Sequence, residues 1–172
     1  SGRTEVPPAS DPAQDFVLTQ SGDLAIEGAG GRAWAVTVTP DRAPTIAAEG
    51  DLTREKGGRF KQGFKVTDDY GIQRGQVTIA LDLSAVDRRY GLLADPEDVA
   101  PVVLDLPLPR KGQREEFSAT LVDDLSESVL SNMPVTLTYS ALDAAGQEGV
   151  SAPFKAMLPG KRFFDPTASA LI

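Results

Sequence analysis

The residues best equipped for chemistry in this chain are carboxylates at turns. In "KVTDDYGIQRG", residues 65 to 75, Asp68 and Asp69 stand side by side between an alternating apolar run and a Tyr-Gly pair. Asp41 lies in the proline-bracketed "PDRAPTI", and Asp143 opens "DAAGQE", which ends in Glu148. Two carboxylates can act as acid and base in glycoside cleavage, but neighbours on an extended chain point to opposite faces and cannot flank one bond. The second carboxylate would have to come from Asp143 or Glu148, and nothing in the sequence marks a cleft for a substrate. The expectation is no catalytic residue and no enzyme. Two uses remain for the aspartates. As turn residues, Asp69 and Asp143 accept hydrogen bonds from backbone amides one or two positions on, while Gly71 and Gly146 supply backbone freedom. As metal ligands, Asp41, Asp68, Asp69 and Asp143 offer oxygen alone, which suits Ca²⁺ if the loops carrying them meet at one end of the fold.

Composition narrows the chemistry further. The 172 residues include no histidine and no cysteine, which removes Ser-His-Asp and Cys-His nucleophiles, disulfides and zinc sites built on nitrogen or sulfur. No cofactor is expected beyond the candidate Ca²⁺. With 17 Lys and Arg against 25 Asp and Glu, the net charge of -8 offers no footprint for a phosphate backbone, so nucleic acid is not an expected partner. No stretch approaches the roughly 20 apolar residues that span a bilayer, and the N-terminus lacks the basic-then-apolar signature of a signal peptide.

The elements that must hold the aspartates are strands. Residues 1–13, rich in Pro, Ser and Asp, read as an extended or disordered lead. Residues 14–44 hold three short strand candidates and a linker, read as the end of a preceding module in the form of a β-hairpin or partial module; Trp34, Val36 and Val38 alternate there, so Trp34 is expected in a core. Residues 45–160 show period-two alternation at Phe60, Phe64 and Val66, at Val77 to Leu83, at Val102 to Leu108, at Phe117 to Leu121 and at Val135 to Ala141. Further strands are expected near Ile46 and Phe154. About seven strands is the number of an immunoglobulin-like antiparallel β-sandwich, and the fold class is all-β. The apolar phase changes between Ile72 and Val77, which predicts a bulge at Gly75. The strand through Val66 should end at Asp68, with Asp69 or its neighbour bonding the amides of the turn and the chain re-entering a sheet at Ile72. Tyr139, two before Ala141, resembles the Tyr-x-Cys of an antibody domain's strand F, and is expected inward with its hydroxyl bonded to backbone. Residues 161–172 read as the start of a helix, with Asp165 as N-cap and Pro166 in the first helical position, so the chain reads as a piece of something longer.

Three stretches together carry a family resemblance: "DDYGI" after a strand, "VTLTYSALDAAGQEGVS", and "LPGKRFFDPTASAL". In that order the chain resembles the extracytoplasmic part of large bacterial inner-membrane-anchored proteins built of Ig-like modules and known by a domain of unknown function. The last stretch is similar to the family's Leu-Pro-x-Arg-x-Phe-x-x-Pro-x-Ala-x-Ala-Leu run with one residue added, Lys161. The resemblance covers roughly residues 33 to 172 and implies a periplasmic location with a tether to the inner membrane; it implies no activity. The expected function is a non-enzymatic structural or protein-interaction module, its partners being other proteins or neighbouring modules of the same chain. The alternative is a Ca²⁺-stiffened module, or one binding carbohydrate or peptidoglycan through exposed aromatics such as Tyr70 and Tyr90.

Overall fold

A computed structural model describes residues 17–28, 30–86, 99–109 and 114–161. The chain divides after Pro40 into two compact units. In the first, β1 (Gly22–Ala25) and β2 (Ala33–Val36) form an antiparallel hairpin, two strands among the described residues of a segment where three were expected. Trp34 lies opposite Leu24 and is 43% exposed, which corrects the expectation that it is a core residue. Alternation predicts burial only where a second layer covers one face, and a two-stranded ribbon has no such layer of its own.

The second unit is a sandwich of two antiparallel sheets. One contains β3 (Thr45–Arg54), β4 (Phe60–Thr67) and β7 (Glu116–Asp123) in the order β3-β4-β7. The other is built from β5 (Ile72–Leu81), β6 (Val102–Asp105), β8 (Pro134–Asp143), β9 (Glu148–Val150) and β10 (Phe154–Met157), in the order β10-β8-β5-β6 with β9 also on β8. Strict alternation along β4 and β8 turns Phe60, Phe64 and Val66 toward Val135, Leu137 and Tyr139, and all six are buried in one apolar core. The Phe64 and Tyr139 rings, one from each sheet, stack at 6.2 Å. Fully burying side chains of this size contributes about 1.5–3 kcal/mol each, so this two-sheet face is the main favourable term holding the unit together.

Three details depart from the pattern read in the sequence. The bulge in β5 falls at Gln73, where Ile72 pairs with Asp143 and Arg74 with Leu142, two residues before the position expected. Gly75 instead permits a close approach between strands, since a Cβ there would come within 3.1 Å of Leu106, whose amide donates to the Gly75 carbonyl. β6 stops at Asp105, short of Leu108, because Pro107 and Pro109 cannot donate to a ladder. The last strand is broken in two, β9 and β10, around Pro153, and the Ser151 hydroxyl fills the gap by accepting from the Tyr139 amide at 3.0 Å. No α-helix occurs among the described residues, and the helix start expected at Asp165 and Pro166 lies outside them, as does Tyr90. No helix there is long and apolar enough to cross a membrane.

Candidate functional site

Sheet register brings three separate loops to one end of the sandwich. Thr45 pairs with Thr67, which sets residues 41–44 beside the turn at 68–71; Ile72 pairs with Asp143, which sets the start of the β8–β9 turn beside both. Pro44 is buried against β9, where a Cβ on Gly149 would lie 1.6 Å from the Pro44 carbonyl oxygen. Only glycine allows that approach. The connector carrying Asp41 is thereby held close to the Asp143 turn.

The turn at 68–71 crosses from one sheet to the other. Asp68 Oδ2 accepts from the Tyr70 amide at 3.2 Å, and Gly71 closes the turn at φ 91°. The Asx turn belongs to Asp68, which is 8% exposed, while the Asp69 side chain reaches away toward Asp41. The bond expected of Asp69 or its neighbour is made by the neighbour, Asp68. Tyr70 is 64% exposed. In the β8–β9 turn, Asp143 Oδ1 accepts from the Gln147 amide at 2.8 Å, the Asp143 amide donates to the Gln147 carbonyl at 3.1 Å, and Gly146 sits at φ 85°. An L side chain is strained at either glycine position.

Asp41, Asp69 and Asp143 form an electrostatic group. Loss of solvent is the first cause that raises the Asp41 pKa above its ordinary value; a hydrogen bond with the Asp69 carboxyl and the negative charge of Asp69 and Asp143 add to it, against the Gln147 side chain, which bonds the ionised form. Sequence reasoning does not single out Gln147, although its place four residues after Asp143 across a glycine turn is the signal that could have done so. Among the described residues no three acidic side chains are drawn together tightly enough to hold a metal ion as they stand.

What sets this end apart is its unpaired oxygens. Asp41 Oδ1, Asp68 Oδ1 and Asp143 Oδ2 are all shielded from solvent and have no hydrogen-bond partner. Asp82 provides the contrast. It is 9% exposed, its Oδ2 meets Lys155 Nζ at 2.8 Å, and its Oδ1 accepts from both the amide and the hydroxyl of Ser84. That carboxylate is fully used in structure. Two further buried polar atoms, Tyr139 Oη and Gln62 Oε1, also lack partners, so the expected bond from the Tyr139 hydroxyl to backbone is not made. Burial alone holds the Tyr139 phenol well above its ordinary pKa. The open grooves of the second unit include one lined by Arg74, Gln76, Ser140, Leu142 and Glu148 and one along Thr45, Ile46, Ala47, Lys65 and Thr67; neither contains a paired acid and base.

The second unit is a β-sandwich with the acidic group of Asp41, Asp69 and Asp143 at one end. Residues 2–172 match the family described as a domain of unknown function, DUF4175, and the chain belongs to it. No curated protein and no solved structure matches the chain.

Proposed function

We propose that this chain is a non-enzymatic, immunoglobulin-like module of a periplasmic protein tethered to the inner membrane, and that it acts by holding position or partners. The observation that carries this reading is the pair of sheets whose four edges, among the described residues, are formed by strands that pair on one side: β3 and β7 in one sheet, β6 and the β9–β10 strand in the other. Edge strands present unpaired N–H and C=O groups that accept a partner strand or a neighbouring module. The β6 edge adds an exposed apolar residue, Val103. The order β3-β4-β7 against β10-β8-β5-β6 also agrees with an immunoglobulin-like arrangement in which the fourth strand has joined the opposite sheet. The family resemblance in the final residues supports the periplasmic location and the tether.

The experiment is an unbiased hydrolase screen of the purified 172-residue protein, with Asp69→Asn and Asp143→Asn as controls. The expected result is no turnover; turnover that disappears in either variant would overturn the reading. A glycan-binding role is the second reading, favoured by the exposure of Trp34 and Tyr70, since aromatic faces are what such sites stack on sugars. Co-sedimentation with peptidoglycan distinguishes the two, and saturable binding lost in Trp34→Ala or Tyr70→Ala would establish the second.

A further inference from the structure

We propose that the free edge of β7 is the docking site for an extended segment of another protein, one with apolar side chains at alternate positions and basic residues at its ends. This deepens the reading that the module holds partners, and rests on it. Among the described residues, three of the four sheet edges carry devices that discourage a new strand. β3 is broken by the register jump between Glu49 and Thr53, with Gly50 at φ 71° inside it. β6 is four residues long and stands between Pro101 and Pro107. The third edge is split around Pro153 into β9 and β10, and β10 carries Lys155. β7 has none of these. Its eight residues pair with β4 in unbroken register and include no proline, glycine or basic residue.

The hydrogen-bond phase fixes what β7 offers. The Asp68 amide donates to the Glu115 carbonyl, while the Gly63 carbonyl accepts from the Gln62 side chain on the β3 side, beside the carbonyls of Glu49 and Gly50. Along a strand of an antiparallel sheet, residues that bond one neighbour alternate with residues that bond the other. Even-numbered residues of β4 therefore bond odd-numbered residues of β7, which directs the N–H and C=O groups of Ser118, Thr120 and Val122 off the edge. No strand lies beyond them among the described residues. Their side chains face solvent, whereas Phe117 and Ala119 point toward the core and are only half-buried. A strand laid on β7 sets its inward side chains opposite Phe117, Ala119 and Leu121, in the closely spaced pairs of the ladder, and covers them. In the immunoglobulin-like arrangement proposed for the sandwich, this is the place that β6 leaves open by joining the opposite sheet.

Charge selects the occupant. Glu115 and Glu116 stand at one end of β7, Asp123 and Asp124 at the other. A second copy pairing antiparallel about a two-fold axis would set the first pair of acids beside the second, and like charges across a ladder are unfavourable. A strand with lysine or arginine at its ends meets acids at both.

The test is calorimetric titration of the 172-residue protein with the capped peptide Lys-Val-Thr-Val-Thr-Val-Lys, against Lys-Val-Val-Thr-Thr-Val-Lys as a control of equal composition. The expected result is saturable binding of the alternating peptide alone, weakened about tenfold or more in Thr120→Pro, which removes an N–H facing the edge and none that β4 uses. The Leu106 amide bonds the Gly75 carbonyl, so Val103 likewise turns its N–H off the β6 edge, and Val103→Pro should leave binding unchanged. Should Thr120→Pro fail to fold, the alternating peptide N-methylated at both threonines decides, because it loses the same bonds from the other side. No binding, equal binding of the two peptides, or binding indifferent to both Thr120→Pro and N-methylation would overturn the assignment. Binding lost in Val103→Pro instead would also overturn it, while leaving the partner-holding reading in place. A dimer seen by sedimentation equilibrium and dissolved by Thr120→Pro would show that the occupant is a second copy and refute the one proposed.

Discussion

Gln62 tests how the sandwich manages a break in its edge strand. β3 pairs with β4 from Thr45 to Glu49 and again from Thr53, but the register jumps between them, with four steps along β3 against two along β4. Carbonyls in the jump lose their ladder partners. Gln62, fully buried, supplies them: its Nε2 lies 3.1 Å from the Glu49 oxygen and 3.0 Å from those of Gly50 and Gly63. An amide has two hydrogens, so at most two of the three contacts are full hydrogen bonds at one time. Replacement by Met keeps volume and removes the donors. Losing two neutral hydrogen bonds at about 1 kcal/mol each is partly offset by removal of the unpaired Oε1, so Gln62→Met should cost about 1–2 kcal/mol. Gln62→Ala also loses one buried methylene at about 0.8 kcal/mol and leaves a cavity where the amide was, and should cost about 2–4 kcal/mol. Urea unfolding followed by far-UV circular dichroism measures both; fluorescence is the wrong probe, because the single tryptophan, Trp34, lies in the hairpin unit. A Met variant at least as stable as the parent would refute the clamp.

Further substitutions probe other parts of the sandwich. Gly149→Ala should destabilise by at least about 2 kcal/mol, since its Cβ meets backbone that cannot yield like a side chain, and chemical denaturation reads this directly. Tyr139→Phe should be neutral or stabilising by up to about 1 kcal/mol, because the hydroxyl it removes is buried without a partner; a loss above about 1 kcal/mol would reveal a bond to that oxygen. Lys155 first, then Ser84, holds Asp82 below its ordinary pKa of 3.8. A depressed folded-state value contributes stability that is present above the unfolded pKa and lost as pH falls through the folded one. Asp82→Asn should therefore flatten the loss of stability below about pH 4, measured as melting temperature against pH, and an unchanged acid limb would contradict the assignment.

The strands and the acidic pole differ in how far they could be read from residues alone. Along β8 from Val135 to Ala141 the apolar side chains keep period two without interruption, and along β4 they keep it but for Gln62, because both faces of the core need them, and those strands are where the alternation puts them. β9 escapes such a reading because three residues, Glu148–Val150, are too few to show a period. Gln62 occupies an inward position on β4, where a polar residue breaks the pattern; its reason, the register jump in the neighbouring strand, is invisible until the strands are paired. Trp34 fails in the opposite direction, since its alternation is real but its ribbon has one layer. The convergence of Asp41, Asp69 and Asp143 follows from which loops of a sandwich share an end, and is legible to that extent. The assignment of the turn bond to Asp68 in place of Asp69 depends on a phase of one residue, which turn chemistry does not specify because adjacent aspartates serve equally well.

Whether the edges of this sandwich hold partners can be decided by a photocrosslinking amino acid placed at Val103 on the β6 edge of the protein in native cells, with the exposed loop position Val129 as control. A partner docked on that edge gives a discrete adduct from position 103 that is absent from position 129. Equal, diffuse labelling from both positions, or none from Val103 and from equivalent probes at Met157 on the opposite edge and Thr120 on β7, would contradict partner binding at the edges.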